Sequence, residues 1–439
     1  MNNKGRAAGR SGLGAVMGSK RLKAVAVRGK QKIPVFDEKR AAALRRENMK
    51  EMAGPFRIIT DFGTCGLTIA ALEHDDSPVK NWGGVSYVDF PNFRSMDAGP
   101  LIDRQSKKYA CYRCPVGCGG HMTAGTSDYR YEAGAHKPEY ETMAMFGSNC
   151  LNENLDAIIK ANDICNRLGI DTISAGAGIA FAIECYENGL ITRKDTGGIE
   201  MTWGNHKAIV AMTEKLGNRE GFGDVLADGV KIAAEKIGRG AGQYAMHLHG
   251  QEVPAHDPKY GWKWAICYRM DATPARHTQG GGISPPGLPL PEFDTKAVSG
   301  KAAPYRILNG MNHIVNATGL CQIVYGNYVS VNMVVEFLKA ITGWDVTLDE
   351  LIKTGERIAT LRHAFNLREG LNPLLYDIPG RVAGQPPKQS GPLAGVTLDE
   401  TTLDRELCEE MDWDPVTTKP GKKKLLALGL AEVAAALWP

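Results

Sequence analysis

The chain has 439 residues, room for two or three domains at ~100–200 residues each. Its 43% hydrophobic and 23% charged residues exclude wholesale disorder, and 52 basic against 49 acidic residues, a net charge of +3, give no electrostatic case for nucleic acid. No apolar run reaches the ~18 residues of a membrane-spanning helix, and the Ala-rich stretch from Leu425 to Trp438 is too short to serve as one.

The chain opens on a dense glycine loop, Gly5 to Gly18, followed by a strand-like Leu22 to Arg28. Its spacing is G-x-G-x-x-x-G and the strand follows rather than precedes it, so a Rossmann dinucleotide site fails its context. Backbone N–H groups with Arg6, Arg10, Lys20 and Arg21 still suit phosphate. Termini fray, so a functional loop at the very start is unusual. Met1 is therefore expected to be an internal methionine of a longer protein. No apolar signal region follows the polar start, and the thiols are too sparse for a secreted disulfide scaffold, so a reducing cytoplasm is expected.

A helix is expected over 36–53 and an apolar helix start within 58–74, followed by a loop-rich 78–100. Asn152 to Leu168 reads as a helix capped by Asn152 and stopped by Gly169, and Thr172 to Glu187 as a small, apolar one. Ala208 to Leu216 and Val225 to Ile237 are amphipathic, with Gly217 and Gly238 as stops. Residues 243–300 read as irregular, and Gly280 to Pro291 must be a loop. Helices resume at 304–318, 330–342 and 348–369. The Pro- and Gly-rich 378–397 reads as a surface excursion, and a last helix covers about 423–437. The class is mainly α.

One pattern recurs: Asn166-Arg-Leu-Gly-Ile-Asp171 and Asn316-Ala-Thr-Gly-Leu-Cys321 each end an apolar helix. They read either as two helix C-caps, with glycine left-handed, or as two similar loops gripping two halves of a ligand.

Cys111-x-x-Cys114-x-x-x-Cys118 gathers three thiols within eight residues. A [4Fe–4S] cluster needs four such ligands and takes its fourth from afar; tetrahedral zinc is the rival, although no second ligand pair stands nearby. Cys321, Cys150 and Cys267 are the candidates for the fourth, Cys321 preferred because it lies in the repeated loop, whereas Cys165 and Cys185 read as small core residues. Pro138-Glu-Tyr-Glu-Thr142 places two carboxylates behind the cysteines: exposed helix-start residues, or a buried acid–base. His277 borders a glycine-rich loop among Trp262, Trp264 and Tyr268, as in a substrate pocket, and His256 is a second, weaker candidate.

Together these segments resemble the aldehyde ferredoxin oxidoreductases, enzymes with a tungsten or molybdenum bis-pterin. The resemblance is carried by Gly5 to Lys20, Pro78-Val-Lys-Asn-Trp82, Cys111 to Cys118, Pro138 to Glu141, Leu168 to Ser174, Arg219 to Asp224, Gly319-Leu-Cys321 and Gly355-Glu-Arg-Ile358, in order along the chain. It implies two pseudo-symmetric helical domains, preceded by a remnant of a β-rich N-terminal domain. The implied boundaries are 1–33 for the remnant, 34–242 for the helical domain with the cysteine cluster and first pterin loop, and 243–439 for the second.

The resemblance also implies roles. Cys111, Cys114, Cys118 and Cys321 match the [4Fe–4S] ligands, Glu141 the general acid–base beside the metal, and His277 the histidine that orients the carbonyl oxygen. Arg6 and Ala7 match the loop at the pterin phosphates and their bridging Mg²⁺. Asn166, Gly169 and Asp171, with Asn316, Gly319 and Leu320, match the two pterin loops. The family usually begins those loops with Asp; Asn keeps an acceptor and drops the charge. The implied reaction oxidises a small aldehyde to a carboxylic acid, with electrons leaving through the cluster to ferredoxin or a ferredoxin-like subunit, and a homodimer is among the expectations. The alternatives are a same-family catalytic subunit of an aromatic thioester reductase, or a truncated, non-catalytic or zinc-stabilised scaffold.

Overall fold

The structure is a computed structural model that describes residues 2–3, 6–51, 57–126 and 128–438, the side chains at 2, 3, 6, 50 and 51 excepted. Among them helix dominates. The strands form three short antiparallel pairs: Asn2–Asn3 with Arg6–Ala7, Gln105–Tyr109 with Gly119–Met122, and His247–Leu248 with Gln251–Glu252. No described helix is long and apolar enough to cross a membrane.

Two compact units emerge, neither continuous in sequence. The first comprises Met1–Val27, Ile58–Gly261 and Ile378–Thr397; the second comprises Arg28–Arg57, Trp262–Asp377 and Leu398–Pro439. The contiguous boundaries expected at 33/34 and 242/243 differ from this division. Early residues join the second unit because Leu44, 1% exposed, inserts from Glu38–Glu51 into a core with Val334 and Val335 of Asn332–Thr342.

The first unit is built around Thr172–Glu187. This helix is apolar on every side, with Ile173, Ile179, Phe181 and Ile183 buried, so it must be surrounded. Tyr140–Phe146 packs along it, and Leu155–Leu168 pairs with His206–Asn218. In the second unit Ala302–Ala317 lies against Leu348–Arg368, which opens on a Thr347/Glu350 capping box. The two approach closely because both carry glycine at the crossing: a Cβ on Gly355 would lie 1.8 Å from the carbonyl oxygen of Gly310.

Several expectations need correction. The glycine loop expected to run to Gly18 ends at Gly12, the left-handed cap of the helix Leu13–Ser19, which takes in Gly14 and Gly18. Leu22 to Arg28 forms no strand, and Val25 and Val27 are exposed. The cap of Leu155–Leu168 is Asn154, which accepts from Ala157 N–H, rather than Asn152. Gly217 does not end its helix, which runs on to Asn218. Gly217 instead lies against the tip of the half-exposed Leu168 side chain. Val225 to Ile237 is two helices, Phe222–Leu226 and Val230–Ile237, broken at Gly229, and 423–437 is likewise two, Lys422–Ala427 and Ala431–Leu437. The helices Trp262–Met270 and Glu400–Met411 went unread; the former buries five consecutive residues, Trp264 to Tyr268, and so shows no apolar stripe. Finally, 378–397 is anchored rather than a surface excursion: Val382, Ala383 and Leu393 are buried, and Arg381 pairs bidentately with Glu184.

Candidate functional site

The repeated loop has the same geometry in both units. After Leu155–Leu168, Gly169 turns left-handed at φ +72° and Ile170 N–H bonds back to Cys165 carbonyl at 2.9 Å. After Ala302–Ala317, Gly319 does so at φ +69° and Leu320 N–H reaches Val315 carbonyl at 3.1 Å. Each is a Schellman-type ending followed at once by another helix. The repeat also extends one helical turn further back. Asn166 Nδ2 donates to Asn162 carbonyl and Asn316 Nδ2 to Asn312 carbonyl, each at 2.9 Å, so an Asn-x-x-x-Asn-x-x-Gly spacing was there to be read. Where the copies differ, Asp171 caps the next helix through Ser174 N–H, whereas Cys321 stands exposed at the start of Gln322–Gly326.

In the first unit the loop borders an open cleft of about 930 Å³. Five of the expected residues line it: Ala7, Glu141, Asn166, Gly169 and Asp171. The opposing wall is the glycine-rich N-terminal loop, held down by Arg10, which in sequence is only one of four cations near the loop. Its Nε donates to Asp171 Oδ2 at 2.9 Å and its Nη2 to Glu252 carbonyl at 2.9 Å, with its side chain 8% exposed. Arg6 would belong to the same loop, but its side chain lies outside the described residues. The sequence also missed Glu252, a cleft-lining carboxyl that burial pushes above the usual range and that accepts from Ser174 Oγ at 2.6 Å.

Glu141 sits in the first turn of Tyr140–Phe146, its side chain 15% exposed, so the buried alternative holds over the exposed one. Burial raises its carboxyl above the ordinary glutamate range; nearby His256, the Ala255 N–H and Arg10 pull the other way, and Asp171 adds to the rise. Ala255 N–H donates to Glu141 Oε2 at 2.8 Å and fixes one oxygen. Its sequence neighbour Glu139 is tied instead to Thr64 Oγ1.

None of the ten cysteines is in a disulfide. Cys111, Cys114 and Cys118 sit on the connection between Gln105–Tyr109 and Gly119–Met122, Cys111 exposed and the other two half-buried, with left-handed turns at Arg113 and Gly117. Of the candidates for a fourth ligand, Cys150 and Cys267 are fully buried and desolvation drives their thiols upward, which disfavours the thiolate. Cys321 is exposed. In the second unit His277 meets the Trp264 ring edge-on, 6.2 Å between centroids. The adjoining Thr278 carbonyl accepts from Gln322 Nε2 at 2.5 Å and from Asn316 Nδ2 at 3.4 Å, which ties the His277 segment to the repeated loop.

The family model for aldehyde ferredoxin oxidoreductase, domains 2 and 3, matches residues 41–430, and that for the aldehyde ferredoxin oxidoreductase N-terminal domain matches residues 1–29. The tungsten-containing aldehyde ferredoxin oxidoreductase of Pyrococcus furiosus is 33% identical over 446 residues, 98% of this chain and 71% of that protein. The WOR-like subunit of an aliphatic sulfonate oxidoreductase from the same organism is 29% identical, covering 97% of this chain and 66% of that one. Among solved structures, the active-site complex BamBC of benzoyl coenzyme A reductase with 1,5-dienoyl-CoA shares the fold at a TM-score of 0.74 and 20% identity, over 97% of this chain and 70% of that one. The chain belongs to the aldehyde ferredoxin oxidoreductase family, a family of oxidoreductases.

Proposed function

We propose that this chain oxidises an aldehyde to the carboxylic acid with a tungsten or molybdenum bis-pterin, and passes the electrons through a [4Fe–4S] cluster to ferredoxin or a ferredoxin-like subunit. One observation carries the reading: a largely buried carboxyl, Glu141, raised by desolvation above the ordinary glutamate range, on the wall of a cleft bordered by the repeated loop.

The residues fit the groups proposed. At about 930 Å³ the cleft suits a large organic cofactor, and Gly169 turns the loop with nothing within 4 Å of where its Cβ would stand. Of its charged lining residues, Arg10 is already paired with Asp171, and Asp228 with Arg219 and Lys236, so a phosphate would come in with its own Mg²⁺. Asn166, Gly169 and Asp171 would hold one pterin, Asn316, Gly319 and Leu320 the other, with Arg6 and Ala7 at the phosphates. Cys111, Cys114 and Cys118, with Cys321, supply the soft thiolate set that iron–sulfur clusters use. When bound, these groups supply the two-electron oxidation at carbon and the one-electron exit.

The chain's own contribution is the proton. Burial keeps Glu141 protonated to higher pH than a surface glutamate, which places it closer to the working range of a general acid–base. The Ala255 N–H fixes its rotamer, so in the ionised form one oxygen is presented to the water that attacks the carbonyl carbon. His277 is assigned to the carbonyl oxygen.

Protein purified without oxygen tests the reading. About four irons per chain, stoichiometric tungsten or molybdenum, and aldehyde-dependent reduction of ferredoxin are expected. Cys321→Ala should abolish the four-iron EPR signal and Cys150→Ala should leave it. Stoichiometric zinc without iron would remove the proposal, and turnover of an aliphatic sulfonate but no aldehyde would redirect it.

A further inference from the structure

We propose that His256 is a positioning residue that receives the proton of Glu141, with Asp76 fixing its tautomer. The proposal rests on the acid–base reading of Glu141.

Two dipeptides clasp each other in the first unit. Tyr140 OH donates to Ala255 carbonyl while Ala255 N–H donates to Glu141 Oε2 at 2.8 Å. The Tyr140 ring lies over the His256 ring, 4.9 Å between centroids and tilted by 33°. The fourth corner of the clasp brings His256 Nε2 to 3.9 Å from Glu141 Oε1. The other edge of the imidazole meets Asp76: Nδ1 lies 2.8 Å from Oδ2, and Asp257 N–H holds Oδ1 at 3.0 Å. The Asp76 side chain is 10% exposed and that of His256 18%, so neither pair is a loose surface contact.

Chemistry sets the direction. A carboxylate accepts, so His256 donates from Nδ1, and neutral imidazole then carries its lone pair on Nε2. That lone pair faces Glu141. A small rotation of the carboxyl closes the 3.9 Å gap. In the step, the Glu141 O–H bond breaks and the His256 Nε2–H bond forms; no electrons move, and the imidazolium stands between two carboxylates. Among the described residues of the first unit, the charged and titratable groups around the pair include Tyr140, Asp76 and Asp257, with Lys259 paired to Asp257, and Arg10 and Asp171 beside Glu141. A histidine that merely filled space would need neither a fixed tautomer nor a carboxylate behind it.

The test uses the full chain with ¹⁵N-labelled histidine, His256 being assigned by the signal lost in His256→Gln. Expected are the Nδ1–H tautomer at neutral pH and a titration midpoint that moves in Glu141→Gln. Asp76→Asn, nearly isosteric, should abolish the tautomer preference and lower the midpoint by about one pH unit or more. In the metal-loaded enzyme His256→Gln should lower kcat ~10–100-fold and shift the pH profile, with KM little changed. An Nε2–H tautomer in the parent, or a midpoint indifferent to both Asp76→Asn and Glu141→Gln, overturns the proposal. Because tautomer and midpoint are read without turnover, a failure of aldehyde oxidation with the NMR result intact sinks the reaction and leaves the Asp76–His256–Glu141 coupling standing.

Discussion

Glu141 can be probed by two substitutions that the structure predicts will part company. Its Oε2 is the acceptor for the N–H of Ala255, a residue with no exposed surface. Glu141→Ala leaves that buried donor unpaired, at a cost of about 1–3 kcal/mol. Glu141→Gln keeps an acceptor of the same reach and removes only the ionisation. The sign of its pH dependence follows from the raised carboxyl. Below the ordinary glutamate range both the folded and unfolded chains hold the proton, and the parent suffers no penalty. As pH rises through the unfolded value the unfolded chain ionises first, so the parent loses stability until the folded carboxyl ionises in turn. Urea unfolding at pH 4 and pH 8 should therefore show Gln near the parent at the lower pH and more stable at the higher, with Ala below Gln at both. Both variants should lose turnover by ~10²–10⁴-fold. Equal stabilities for Gln and Ala would refute the assigned bond, and a Gln variant less stable than the parent at pH 8 would refute the raised carboxyl.

Two further substitutions address the fold. Gly355→Ala should destabilise the second unit by about 1–3 kcal/mol or more, because its Cβ would meet the backbone carbonyl of Gly310 at 1.8 Å and backbone has little room to give; an unchanged urea midpoint would refute that close crossing. Arg381→Ala should cost about 1–3 kcal/mol, since Glu184, 9% exposed, loses two bonds of 2.9 and 2.7 Å but keeps the one from Asn81 Nδ2 at 2.7 Å, and Arg381 itself is 27% exposed. The same change should render 378–397 protease-sensitive; resistance equal to the parent would show that the segment is held by other contacts.

Much of this was legible from local pattern. The bounds of Thr172–Glu187 were read from its apolar run and the glycine behind it, and Gly169 and Gly319 from their places after apolar helices. The Asn-x-x-Gly repeat was visible, though not its full length back to Asn162 and Asn312. What local pattern misread was governed by distant partners. Gly217 has the look of a helix stop and is instead a contact for Leu168; 378–397 has the composition of a loop and is pinned by Glu184. Trp262–Met270 was invisible because a helix buried on every side carries no period.

The sequence by itself determined the helical class, the family, the order of the motifs and the chemical types at the site: soft thiols, a paired-glutamate helix start, two glycine-turned loops. These depend on spacing along the chain, which a sequence contains in full. Only the tertiary structure decided which carboxyl is which. Glu139 and Glu141 are two residues apart and alike on paper, yet one is tied to Thr64 while burial and the Ala255 N–H make the other a raised, oriented carboxyl. The same holds for Arg10, whose partners Asp171 and Glu252 lie 161 and 242 residues away, and for His256, set between Asp76 and Glu141. Burial and pairing are properties of neighbours in space, and those neighbours are chosen by packing rather than by position in the chain.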